Sequence, residues 1–151
     1  MKYSEKLLKG LNDLLTLNLE VEKIYMEALS AVSDTELKTF FTESGLERNE
    51  FGKELKAEME MYNTEMELKF DGKLENGFYV TWMNFRRLFL FEDKINLYEE
   101  ICKLKELTIR KYDNLLSQKE LPHSTIKVLE HHKAKIQNAL NTIIIEKNLV
   151  A

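Results

Sequence analysis

Apolar positions recur at intervals of three and four residues over most of the chain, the period of an α-helix with one buried face. From residue 4 to residue 32 the stripe runs Leu7, Leu11, Leu14, Asn18, Val21, Tyr25, Ala28 and Val32. Ser33-Asp34-Thr35-Glu36 then interrupts it. A Ser followed three residues later by Glu is a capping box, and Asp34 offers a second cap. So short a link predicts that the next helix, over about 35–63, runs back antiparallel. Its inner face reads Leu37, Phe40, Phe41, Ser44, Glu47, Phe51, Leu55, Met59 and Tyr62. Gly45 and Gly52 inside it each cost about 1 kcal/mol relative to Ala, and they point to close approach of a neighbouring helix.

The period lapses over 64–77, where Asp71-Gly72 and Asn76-Gly77 are turn dipeptides, and the stretch reads as a long connection or a short hairpin. It resumes in FYVTWMNFRRLFLF, residues 78–91, as a helix apolar on nearly every side. Phe78, Trp82, Phe85 and Phe89 share one face of it. Such a helix is either a lid over the bundle or an interface. A helix over 93–117 follows, with Ile95, Tyr98, Ile101, Cys102, Lys105, Thr108, Ile109, Tyr112 and Leu116 along its stripe. After a tight link at 118–122, Pro122 suits the first turn of a last helix, where its missing N–H costs nothing. That helix runs to about residue 147 and buries Ile126, Leu129, His132 or Lys133, Ile136, Leu140, Ile143 and Ile144.

Composition narrows the class. A chain of 151 residues suits one domain, residues 1–151, and buries roughly two-thirds of its unfolded surface. With one proline and five glycines it lacks the punctuation of an all-β fold. A formal charge of −4 argues against nonspecific nucleic-acid binding, which needs a basic field. One cysteine, Cys102, excludes an internal disulfide framework and a Cys-based zinc site. The N-terminal stretch is amphipathic, unlike a signal peptide, and no apolar run reaches the roughly 20 residues of a membrane span. The expectation is a cytoplasmic protein.

Short, long and short connections between four long helices are those of ferritin-like bundles. Four places carry a closer match: Leu11-Asn12-Asp13-Leu14-Leu15 running to Tyr25 and Ala28; Phe51 with Glu54-Leu55; Trp82-Met83; and Lys111-Tyr112 with Leu115-Leu116, then Leu121-Pro122. On these residues the chain resembles the ferritin-like superfamily, and within it a bacterial family of four-helix proteins described as ferritin-like and of unknown function. The resemblance implies an all-α, antiparallel four-helix bundle with a long crossover carrying the short aromatic helix. The two halves also echo each other: Tyr25 follows Asn18 by seven residues, as Tyr112 follows Lys105.

A di-iron site in this fold needs a Glu from each of two helices and Glu-x-x-His from the other two. Here the second helix offers Glu47-Arg48-Asn49-Glu50 without histidine, and the last offers Glu130-His131-His132-Lys133, where Leu129 stands three residues before His132. Asn18 and Lys105 hold the positions one heptad before the tyrosines. Two readings stand. One is a reduced site for iron or manganese on Glu22, Glu47 and His132, completed by Glu99 or Glu106. The other is a metal-free core in which Lys105 pairs with Glu22 or Glu47. The function expected is non-catalytic, without a cofactor, through formation of a homodimer or binding of a protein partner at Phe78, Trp82, Phe85 and Phe89. Iron handling or a stress-related role is the alternative that the resemblance implies.

Overall fold

The computed structural model describes residues 3–62 and 94–150. They form four helices: α1 (Tyr3–Ala31), α2 (Thr35–Glu60), α3 (Lys94–Leu116) and α4 (His123–Val150). No strand occurs among the described residues. The aromatic helix expected at 78–91, with Phe78, Trp82, Phe85 and Phe89, lies outside them, as does the 64–77 connection.

The helix starts and stops follow local chemistry. Asp34 caps α2, its Oδ1 accepting the Leu37 N–H at 3.0 Å. Pro122 stands just before α4 and its carbonyl accepts the Ile126 N–H at 3.0 Å. Between α3 and α4 the chain reverses through Glu120, whose φ of 63° is left-handed. That conformation costs a residue with a Cβ roughly 1–2 kcal/mol.

Side-chain contacts fix the directions. On α1 and α2, Asn18 meets Arg48 while Tyr25 meets Phe41, so these helices are antiparallel. Asn18 also meets Tyr112 while Tyr25 meets Lys105, so α1 opposes α3. Phe51 meets His132 while Glu58 meets Thr125, so α2 opposes α4. The chain leaves α2 at one end of the bundle, with Tyr62 beside Thr125, and re-enters α3 at the other, with Tyr98 beside Phe40. Backbones approach most closely within the α1–α2 and α3–α4 hairpins; α1–α3 and α2–α4 form the looser seams between them.

The α1 stripe is buried along its length, from Leu7 to Val32. Gly45 and Gly52 do face α1: a Cβ at 45 would come within 3.1 Å of the Met26 sulfur, and one at 52 within 3.5 Å of Leu15. The inner face of α2 differs from expectation by one position. Arg48 is buried where Glu47 was expected, and Glu47 is half-buried beside it. The run Phe41, Gly45, Arg48, Gly52, Leu55 and Met59, all buried, is spaced four and three residues apart. On α4 it is His132, not Lys133, that turns inward. Among the described residues no helix is long and apolar enough to cross a membrane.

Candidate functional site

Two rungs cross the bundle from α1 to α3. Because the helices are antiparallel, the two heptad-spaced pairs of the sequence meet in reverse order. In the first rung Asn18 Nδ2 donates to the Tyr112 hydroxyl at 3.0 Å. In the second, the Lys105 ammonium lies 5.8 Å from the centre of the Tyr25 ring. Seven residues separate the rungs on each helix, which at the helical rise is about 10 Å.

The first rung extends to all four helices. Arg48 Nη1, from α2, donates to Asn18 Oδ1 at 3.1 Å. Asn18 is oriented further by a second donation from Nδ2 to the Leu14 carbonyl at 2.8 Å. Tyr112 in turn sits 2.8 Å from His132 Nδ1, on α4. The tautomer that lets the Tyr112 hydroxyl both accept from Asn18 and donate is the one in which its proton goes to Nδ1 and His132 carries its hydrogen on Nε2. That nitrogen faces Glu54 Oε2 at 3.5 Å, within reach of the carboxylate's charge but without a hydrogen bond. The donations therefore run one way, from Arg48 through Asn18 and Tyr112 to His132. Phe51 stacks on the imidazole at 4.0 Å between ring centres, and Tyr112 meets it edge-on at 5.6 Å.

Asn18, Arg48, Tyr112 and His132 are all fully buried. Burial holds His132 down to about 3, and the charges of His131, Arg48 and Lys135 push it the same way. Burial likewise raises the Tyr112 hydroxyl well above its ordinary value, against the opposing pull of Arg48 and Asn18. Near neutral pH both groups are uncharged and far from titrating, which ill suits them to general acid–base work.

The second rung makes no hydrogen bond across the bundle among the described residues. Tyr25 packs against Phe40 and Phe41 at 6.3 and 6.2 Å, but its buried hydroxyl has no partner among the described residues. Lys105 is 2% exposed, and no ion pair joins it to Glu22 or Glu47 among the described residues. It rests on the Tyr25 ring instead, as a cation over a π face. Below the first rung a third cross-link joins the hairpins. Glu58 Oε1 accepts from Ser124 at 2.7 Å and Thr125 at 2.8 Å, beside the positive N-terminal end of α4.

Of the expected ligands, Glu22 and Glu47 are half-buried, Glu106 is exposed, and His132 is buried with Nδ1 taken by Tyr112. Among the described residues no group of three or more His, Cys, Asp or Glu side chains is placed to hold a metal ion. The fully buried polar groups of the two rungs are an amide, a guanidinium, an ammonium, two phenols and one imidazole, and the carboxylates of Glu22, Glu47 and Glu54 stand half-buried around them. Iron prefers carboxylate and free imidazole ligands; here the one buried imidazole is bonded to Tyr112 through Nδ1, and the nearby carboxylates of Glu47 and Glu54 are half-buried. Cys102 is half-buried and His131 exposed.

The inward arginine and the phenol of α3 both fall within residues 6–118, which match a family model described as "Domain of unknown function (DUF2383)". The chain belongs to the DUF2383 family. The DUF2383 match takes in both rungs and Arg48; His132 lies beyond it on α4. No curated protein and no solved structure matches the chain.

Arg48 and Glu54 escape a reading based on apolar periodicity. A helical wheel assigns arginine to the surface, because charged residues are seldom buried without a partner. The signal that finds Arg48 is the heptad Phe41–Arg48–Leu55, with glycines at 45 and 52 marking the same close-packed face.

Proposed function

We propose that this chain is a non-catalytic, intracellular helical-bundle protein on the ferritin-like plan, acting by association with a second copy or with a protein partner through residues 78–91. The plan is supported by helix directions in which α1 and α4 oppose α2 and α3, with one long crossover, residues 63–93, between the hairpins. The observation that carries the non-metal reading is the hydrogen-bonded chain Arg48–Asn18–Tyr112–His132 at the bundle centre. In it, residues of the chain take up the space and the imidazole lone pair that a metal centre would use. The apolar character of FYVTWMNFRRLFLF supports association.

A second reading is an iron- or manganese-binding protein, favoured by one approach: Glu54 and His132, a carboxylate and an imidazole 3.5 Å apart. Metal analysis of protein produced with added iron and manganese separates the two. The first reading expects no stoichiometric metal; one metal ion or more per chain replaces it with the second. Sizing at several concentrations tests association. A dimer or larger species is expected, dissociating in Trp82→Ala and Phe85→Ala. Soluble variants of unchanged mass would remove the association reading.

A further inference from the structure

The bundle centre has more donors than acceptors. Arg48 is fully buried, and a guanidinium stays charged at every pH the protein meets. Only Nη1 is used, by Asn18; Nε and Nη2 are buried and unpartnered among the described residues. Those two N–H groups lie side by side on one edge of the guanidinium, the fork that grips a carboxylate or phosphate with two parallel bonds. Of the carboxylates near the centre, Glu54 faces His132, Glu58 is held by Ser124 and Thr125, and the half-buried Glu47 makes no hydrogen bond to the free edge of the guanidinium. Tyr25 adds an unpartnered buried hydroxyl one heptad away, and Lys105 a second buried cation. The unpartnered buried acceptors of the described residues, on Glu100 and Gln118, belong to the early part of α3 and to the α3–α4 link.

We propose that the free fork of Arg48 is the binding site for a small oxyanion, a carboxylate or a phosphate, held between the two hairpins. The fork is covered in the described conformation, so the anion enters as the hairpins part along the α1–α3 and α2–α4 seams, where the backbones lie farther apart. The site is independent of the association reading.

The test follows the Arg48 Nε–H resonance of the full ¹⁵N-labelled chain while sodium phosphate or sodium acetate replaces sodium chloride at constant ionic strength. One of the two anions should move this resonance saturably and raise Tm with the logarithm of its concentration, as ligands of the native state do. Movement with phosphate alone assigns a phosphate ligand; movement with acetate alone assigns a carboxylate. Arg48→Lys keeps the charge but loses the fork and should bind at least ~10-fold more weakly. An unmoved Arg48 resonance with both anions overturns the site. So does an Arg48→Lys protein whose Tm responds with the wild-type midpoint. Should that variant fail to fold, the wild-type Nε–H titration, assigned through contacts to the Phe51 ring, decides alone.

Discussion

The two rungs between α1 and α3 share a spacing, a depth and a pair of helices, yet they are held by different forces. At the lower rung every polar atom of Asn18 and the Tyr112 hydroxyl is engaged, and the chain of donations reaches α2 and α4. At the upper rung a tyrosine hydroxyl goes unpaired and a lysine leans on its ring. The lesson is that burial alone does not make a polar residue a structural link. A buried polar group contributes when its partners are supplied, and otherwise costs the water it gave up. The lower rung should therefore be sensitive to every perturbation, and the upper rung tolerant.

The largest effect should come from acid. His132 has its folded value near 3 against an ordinary 6.5, so between those values the unfolded chain binds the extra proton. Its contribution is complete above pH 6.5 and is lost as pH falls, at about 1.4 kcal/mol per pH unit. Denaturant unfolding should thus show about 3 kcal/mol less stability near pH 4 than at neutral pH, and His132→Gln should flatten that slope. A wild-type slope no steeper than the variant's would mean that His132 is not held neutral in the folded core.

Next in size is Tyr112→Phe, which strips a buried acceptor from Asn18 and a buried donor from His132. Urea titration should register a loss of about 2–3 kcal/mol, since each orphaned group costs about 1–3 kcal/mol. Lys105→Met should move the other way. A thioether of similar length replaces a buried cation, and the gain in thermal unfolding should be about 1 kcal/mol. Smallest of all, Tyr25→Phe removes a buried hydroxyl that has no partner among the described residues and should raise stability, by up to about 1 kcal/mol. If Tyr25→Phe proved as damaging as Tyr112→Phe, the contrast between the rungs would collapse.

Four helices were legible because the apolar period is strong and the punctuation clear. Asp34 and Pro122 stand where α2 and α4 begin, and the stripe from Leu7 to Val32 is the buried face of α1. The central place of Asn18, Lys105, Tyr112 and His132 could likewise be read from their spacing. Their partners could not. Which carbonyl, ring or hydroxyl lies opposite depends on the axial register of antiparallel helices, and periodicity within one helix carries no information about register. Hence Lys105 meets the ring of Tyr25 and the Asn18 amide meets Tyr112, pairings that only the register between α1 and α3 decides. Arg48 was hidden for another reason: the rule that keeps arginine at the surface holds except where something else is gained.

The hairpin organisation also orders events during synthesis. Arg48 and its acceptor Asn18 lie on the same hairpin, thirty residues apart, whereas Tyr112 follows Asn18 by ninety-four. Contacts so local form early, while long-range ones wait on loop closure. The nascent first hairpin therefore holds a guanidinium and an amide facing water, and the energetic penalty of enclosing them falls due only when α3 and α4 dock. Docking of the second hairpin is thus the step that encloses the Arg48–Asn18 pair.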